Sequence, residues 1–465
     1  MVTSFSPKEY YDDMVLVRGV RMLINKPTLQ RWRNQVVGLD TKVPLGNGMM
    51  ATAINFDNAA TTPPFKAVIN SICSFAPWYS SIHRGAGYKS QLSSHIYEMA
   101  RYKIASFVKA SPTVHDIIFV KNTTEAINKV AYRLWNTNKK KVVLCSDMEH
   151  HSNDLPWRDK FHVDYICIDN KGRLMLDDLE NKLRKYGDKV ALVAITGASN
   201  VTGYINPIHK IAEMTHSHGA KLLVDGAQLV PHVPVDMKPF YSPEHIDFLT
   251  FSGHKMYAPF GIGVLIGPKE FFKYGAPELT GGGTVKAVTH DFVCWADSPY
   301  KEEAGTPNLM GVVALSTAID ILTSIGMDHI EAYERVLTKY AISKMICIPN
   351  IKIYGDIENL DNRVAIISFN IKDLPHGLVA SALSYEAAIS VRSGCFCAHP
   401  YIQKLLGLSP EEIQKQIKTF KSPYAGMVRV SFGLYNTKEE IDILVDKLWE
   451  IALNPNEYRD KYRPI

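Results

Sequence analysis

Phe248-Leu249-Thr250-Phe251-Ser252-Gly253-His254-Lys255 joins a short apolar run directly to a cluster of polar and basic groups. The run Phe248–Phe251 predicts a buried strand, and the polar groups follow its carboxyl end. Lys221–Val224 repeats the arrangement and runs into Asp225-Gly226-Ala227-Gln228. Further strands are expected at Asp116–Val120, Lys141–Cys145, Val190–Thr196 and Gly263–Ile266. Helical stretches lie between them; one carries Ile127, Val130, Ala131 and Leu134 at i, i+3, i+4 and i+7. Such alternation predicts an α/β fold: a mostly parallel sheet with helices on both faces. Ligands then gather beyond the carboxyl ends of the strands, where Asp225 and Lys255 stand.

This large domain is expected over 53–330. Beyond it, strands at Val364–Asn370 and Met427–Phe432 and a closing helix at Lys438–Ala452 predict a smaller α+β C-terminal domain, 331–465. Residues 1–52 are expected to pack with the small domain, with a turn at Pro44-Leu45-Gly46-Asn47-Gly48.

Hydrophobic residues make up 46% and charged residues 21%, the balance of a folded globular protein. The net charge of +5 is scattered along the chain and gives no basic patch for nucleic acid. No apolar run approaches the ~20 residues that span a bilayer, and no membrane partner is expected. The first residues resemble neither a signal peptide nor a transit peptide. Seven cysteines form no disulfide-type framework, so a reducing cytoplasm is expected.

Four motifs carry chemistry. Lys255 is flanked by Ser252 and His254, which suit a phosphate, and followed by Gly261 and Gly263, which permit close backbone approach. A Schiff-base lysine needs such a fixed, desolvated position; the plainer alternative is a solvated turn lysine. Asp225 is placed either to pair with a protonated pyridine nitrogen or to cap a helix. Lys121-Asn122-Thr123-Thr124-Glu125 opens a helix whose N–H groups and hydroxyls suit a phosphate, or form a capping box. His150, in His150-His151-Ser152-Asn153, offers an imidazole to stack on an aromatic ring, unless it is structural. In Arg392-Ser393-Gly394-Cys395-Phe396-Cys397-Ala398-His399-Pro400, the spacing is too tight for a usual zinc site. No metal is assigned there; a reactive thiolate near an arginine fits better.

In order along the chain, Phe56–Thr62, Ile82-His83-Arg84-Gly85, Asn122–Glu125, Glu149–Asn153 with Pro156-Trp157, Ser199–Gly203, Asp225–Gln228, Ser252–Lys255, Glu303–Asn308 and Tyr435–Thr437 resemble the class V aminotransferase group of pyridoxal-phosphate (PLP) enzymes, fold type I. The likeness runs from about Asn55 to Trp449 and is strongest to group II cysteine desulfurases. It implies a homodimer and the cofactor pyridoxal 5'-phosphate bound through Lys255. It also implies His150 stacked on the ring, Asp225 on the ring nitrogen and Gln228 on the phenolic oxygen. Thr123, Thr124, Ser252 and His254 would hold the phosphate, with Thr306 reaching that of the neighbouring subunit. Asn200 and Arg429 would bind the substrate carboxylate, with His83, Arg84 and Arg392 also on the substrate side. Cys397 falls where the family forms its persulfide.

The sequence departs from that pattern at Asn122, where the family usually has glycine. It departs again at Cys395, which makes a C-x-C pair similar to one in molybdenum-cofactor sulfurases. The 400–428 segment and the N-terminal lead-in are also long. The resemblance implies removal of sulfur from L-cysteine, or another sulfur-bearing amino acid, to leave alanine and a persulfide on Cys397. The sulfur would pass to an acceptor protein, as in iron–sulfur cluster biogenesis. The alternative is a class V C–S lyase, epimerase or aminotransferase that does not use Cys397 as a nucleophile. A non-catalytic scaffold or sulfur-relay partner is a third class, which an absent cofactor absorbance would mark.

Overall fold

A computed structural model describes residues 14–17, 20–23, 26–419 and 425–462. Its main sheet has seven strands: β1 (His115–Val120), β2 (Val142–Ser146), β3 (His162–Ile166), β4 (Val190–Thr196), β5 (Lys221–Asp225), β6 (Phe248–Ser252) and β7 (Gly263–Pro268). Their spatial order is β1-β7-β6-β5-β4-β2-β3. β3, β2, β4, β5 and β6 run parallel; β7 is antiparallel to both β6 and β1.

The strands read as continuous apolar runs because both faces are covered. Val193 and Ile195 enter the core on one face, and Leu192 and Ala194 the core on the other. The helix Thr123–Thr137 buries Ile127, Val130, Ala131 and Leu134 against the second face. The helices Tyr88–Phe107 and Leu309–Ile325 contribute Tyr97, Ile104, Val312, Leu315 and Leu322 to the first.

β3 was not expected from the sequence. Its residues His162-Val163-Asp164-Tyr165-Ile166 mix polar with apolar because it lies at the sheet edge, with only Ile166 buried. Among the described residues no single helix is long and apolar enough to cross a membrane. The apolar pair Leu309–Ile325 and Met327–Met345 bends by 76° between its members.

The second sheet is antiparallel, in the order β8 (Ile351–Ile353), β9 (Ile366–Ile371), β11 (Met427–Ser431), β10 (Arg392–Gly394). β10 lies in a stretch whose polar residues suggest a turn. It is three residues long and sits at an edge, where short polar strands are tolerated. Its register sets Arg392 directly opposite Arg429. Like charges so placed repel, and the segment beginning at Ile54 supplies the remedy. Ile54 and Asn55 pair with Ile389 and Ser390, and Asp57 then reaches β11 beside Ser431.

Of the N-terminal 52 residues, 1–13, 18–19 and 24–25 lie outside the described residues. In the described part, Arg33 binds Glu440 at 2.8 Å, and Gly46 N–H donates to Tyr385 O at 2.7 Å. The turn at 44–48 joins Lys42–Pro44 to Met50–Thr52 as a hairpin. In the long 400–428 segment, helices cover His399–Leu406 and Pro410–Thr419; residues 420–424 lie outside the described residues.

Candidate active site

A cavity of about 320 Å³ opens at the carboxyl ends of the parallel strands. Asp225 ends β5, and Lys255 ends a single turn that follows β6. Both are buried. Burial, with Arg429 adding to it, pushes the Lys255 amine down from 10.5 to about 8, against the opposing pull of Asp225 and Cys397. Burial also pushes the Asp225 carboxyl up, opposed by the Ala227 N–H that its Oδ1 accepts at 3.0 Å and by Lys255. A cation placed against Asp225 would relieve that cost.

The helix Thr123–Thr137 starts at the cavity wall with Asn122 as its N-cap. Asn122 Oδ1 accepts from Glu125 N–H at 3.1 Å, and Glu125 reaches back to Lys121 N–H at 2.8 Å. Asn122 thus caps this helix while it and the helix start line the cavity. Thr123 N–H donates to Ser252 Oγ at 2.9 Å, joining the helix start to the end of β6. Gly263 is required here, because a Cβ on it would sit 2.7 Å from Asn122 Cα.

His150 lies in the cavity wall with Nδ1 accepting from Ser152 N–H at 3.1 Å. The proton of the neutral ring is therefore on Nε2. Burial, with Lys255, His151 and Arg429 nearby, pushes the imidazole down to about 3, so it is neutral at ordinary pH. Ser152 Oγ is 3.0 Å from Nδ1 and 2.7 Å from Thr124 Oγ1, linking the ring to the helix start. His254 is likewise pushed down to about 4, by burial and then Lys255.

On the opposite wall Arg429 Nη1 donates to Asn200 O at 2.9 Å, and Asn200 Nδ2 to Phe396 O at 2.7 Å. The guanidinium lies over the Phe396 ring at 4.9 Å. Asp57 bridges the two arginines, 3.2 Å from Arg429 and 2.8 Å from Arg392.

Cys397 is exposed at the cavity mouth in a turn where Phe396 and Cys397 both have positive φ, 48° and 54°. The turn is tied down by His151 N–H donating to Cys397 O at 2.7 Å. Cys395 Sγ points instead to Ala425 O at 3.1 Å, and burial pushes its thiol up, with Cys397 adding to the shift. His399 pairs with His151, Nδ1 to Nε2 at 3.0 Å. The groups of the Cys395-Cys397-His399 motif thus do not converge: Cys395 turns to Ala425, His399 to His151, and the Cys397 thiol is exposed.

Of the expected residues, Thr123, Thr124, His150, Asn200, Asp225, Gln228, Ser252, His254, Lys255, Arg392, Cys397 and Arg429 all line this one cavity. His83, Arg84 and Thr306 do not. His83 packs against Tyr97 and Tyr300 at 5.6 and 5.1 Å. Arg84 Nη2 is 3.4 Å from Val285 O, on the strand Val285–Val288. Thr306 is exposed beside Gly305, whose N–H donates to Gly282 O at 2.8 Å.

Sequence reasoning missed several residues here. Ser152 and Phe396 stood inside motifs already noted, yet only the folded chain shows their contacts. Glu149 is buried beneath the cavity wall and accepts from Ser146 Oγ, from Thr196 N–H at 2.9 Å and from Asn153 Nδ2 at 2.7 Å. Burial pushes its carboxyl up to about 8, against those hydrogen bonds. It braces the His150 turn against β4. It stood in the motif Glu149–Asn153 already noted, yet only the folded chain shows its contacts.

The residues fit PLP on their own chemistry. Gln228 Oε1 and Arg429 Nε are buried without a partner. A buried carboxylate, a desolvated lysine, and a helix end ringed by hydroxyls complete a donor set that suits a pyridine ring with a phosphate.

Residues 54–444 match the family model described as aminotransferase class-V. The chain is 35% identical over 404 residues to a cysteine desulfurase of Haloferax volcanii, covering 85% of this chain and 88% of that protein. It is 37% identical over 404 residues to a probable cysteine desulfurase of Halalkalibacterium halodurans, with coverage of 85% and 92%. Its fold is similar to the apo structure of a cysteine desulfurase from Thermococcus onnurineus, with TM-score 0.76, 33% identity and coverage of 86% and 95%. It is also similar to the S-sulfonic acid form of the cysteine desulfurase CsdA from Escherichia coli, with TM-score 0.75, 28% identity and coverage of 92% and 98%.

Proposed function

The chain belongs to the class V aminotransferase family and has its fold type I architecture, and from that premise we propose that it is a PLP-dependent cysteine desulfurase. The observation that carries the proposal is a single cavity holding a desolvated lysine, a buried aspartate and an exposed cysteine at its mouth. When bound, PLP supplies an electron sink for the Cα of an amino-acid substrate.

The roles follow the family resemblance, and the shared cavity supports them. Lys255, with an amine near neutrality, anchors the cofactor and moves the Cα proton. Asp225 would stabilise a protonated ring nitrogen, Gln228 would hold the phenolic oxygen, and Thr123, Thr124, Ser252 and His254 would hold the phosphate. Arg429 receives the substrate carboxylate, with Asn200 fixing the guanidinium through its carbonyl oxygen. His150 keeps its ring proton on Nε2, available for donation.

Cys397 attacks the substrate sulfur: an S–S bond forms, the substrate C–S bond breaks, and its electrons return to the carbon skeleton, which leaves as alanine. L-cysteine plus the Cys397 thiol gives L-alanine plus a Cys397 persulfide, with no external oxidant. An acceptor protein then takes the sulfur. We further propose a homodimer, with Thr306 and the His83-Arg84 loop serving a neighbouring subunit's site. Both stand clear of this chain's own cavity, which supports that reading.

The test is incubation of the purified, PLP-loaded protein with L-cysteine, followed by alanine, sulfide and peptide mass. Alanine in step with one extra sulfur on the Cys397 peptide supports the proposal. Pyruvate and sulfide without a persulfide would replace it with a C–S lyase.

A further inference from the structure

At the opposite, amino ends of β5 and β6, His216, His245 and Asp247 converge. His216 closes the helix Ile208–Ser217, His245 lies in the loop that follows Pro243, and Asp247 immediately precedes β6. None of the proposed catalytic residues is among them.

The two imidazoles are held in a way that fixes their protons. His216 Nδ1 is 2.6 Å from Pro243 O, and His245 Nδ1 is 2.6 Å from Ser242 O. A carbonyl oxygen only accepts, so each Nδ1 carries a hydrogen, and each neutral ring presents a lone pair at Nε2. Both lone pairs face the same carboxylate. His216 Nε2 is 2.8 Å from Asp247 Oδ2, and His245 Nε2 is 3.7 Å from Oδ1. The rings are stacked 4.0 Å apart at 14°.

One proton on His216 Nε2 satisfies the shorter contact but leaves the His245 lone pair against an anion. A second proton would stack two imidazolium rings face to face. A single divalent cation satisfies all three acceptors together. Their ligand atoms all lie within 4.8 Å of one another. Zinc–nitrogen and zinc–oxygen bonds of about 2.0–2.2 Å need ligand separations of roughly 3.3 Å. An ion lies in the plane of the imidazole it binds, so one of the two stacked rings must swing out of the stack to receive it. The backbone carbonyl on the Nδ1 of the ring that stays is the kind of outer contact that orients a metal-bound imidazole. Asp247 is fixed by Lys221 Nζ at 3.0 Å and Leu222 N–H at 2.9 Å, and the Phe240 ring covers His245 at 4.7 Å.

We propose that His216, His245 and Asp247 form a divalent transition-metal site of the zinc class, with water as fourth ligand. Two imidazoles and one carboxylate, without thiolate, favour zinc over softer ions. Its position at the far end of the strands that carry Asp225 and Lys255 makes it a clamp on the sheet.

The test uses the PLP-loaded enzyme, stripped with chelator and titrated with cobalt(II), then with zinc(II). The expected result is one cobalt per chain with the visible bands of a tetrahedral ion, no thiolate charge-transfer band, and displacement by zinc. His245→Gln and Asp247→Asn, each confirmed to keep the PLP absorbance, should weaken cobalt binding at least ~10-fold. X-ray absorption of the wild-type cobalt complex should show imidazole and oxygen neighbours and no sulfur, whether or not a variant folds. No cobalt uptake by the wild type overturns the proposal, leaving the Lys221 ammonium and a proton as the cations of the cluster. Sulfur ligation, or binding unchanged in both folded variants, also overturns it, by placing the metal elsewhere.

Discussion

Replacing Lys255 by methionine is expected to stabilise the cofactor-free protein. The buried amine titrates at about 8 in the folded chain against 10.5 in its ordinary setting. The unfolded chain therefore binds more protons between those values, and wild-type stability rises with pH across that window. Below pH 8 the full cost of burying the ammonium is present: the drop from 10.5 to about 8 corresponds to roughly 3 kcal/mol. By pH 10 the same linkage leaves about 1 kcal/mol. Methionine has a similar length and no charge, so Lys255→Met in the apo-protein should gain up to about 3 kcal/mol at pH 7 and little at pH 10. The assay is denaturant unfolding of both apo-proteins at several pH values. In the PLP-loaded state the order should reverse, because the variant lacks its covalent anchor. An apo variant no more stable than wild type at pH 7, or a gap that does not shrink toward pH 10, would refute the reasoning.

Asp225→Asn should leave the melting temperature near that of wild type and cut turnover at full PLP loading by 100-fold or so, about 3 kcal/mol of lost charge stabilisation; near-normal turnover would remove Asp225 from its role. Cys397→Ala should keep the cofactor absorbance and lose the extra sulfur found by mass spectrometry after cysteine treatment, while Cys395→Ala should lose less. His150 should report a neutral ring with its proton on Nε2 in ¹⁵N spectra from pH 5 to 8, because its pKa has been pushed to about 3. Ser152→Ala, which keeps the N–H contact, should change turnover by no more than about tenfold, one hydrogen bond's worth. Light scattering should give twice the chain mass, and Thr306→Ala should weaken PLP retention in that dimer; a fully loaded, active monomer would contradict the composite site.

The parts legible in the sequence were those with local signatures. Asp225 and Lys255 announce themselves by ending apolar runs, and the helix opening at Thr123 by its cap and its spacing of Ile127, Val130, Ala131 and Leu134. What the sequence hid depends on pairing between distant segments. Asp57 meets Arg429 across 372 positions because of a strand register that no local pattern encodes. Glu149 reads as one more polar residue until β4 closes over it. β3 was missed because an edge strand need not alternate cleanly.

The antiparallel course of β7 sets an order of events during synthesis. Gly263 pairs with Val120 on one side and Ser252 on the other, so the helix start and the lysine turn are pinned together only once residue 263 has left the ribosome. The wall that would grip a phosphate is complete only once the helix Leu309–Ile325, which covers the first face of this sheet, has followed. The arginine that would grip a substrate comes about 100 residues after that helix, at 429. At elongation rates of about 5–20 residues per second, that interval lasts roughly 5–20 seconds. On the proposed reading, the chain acquires the means to hold a cofactor before it has the means to use it.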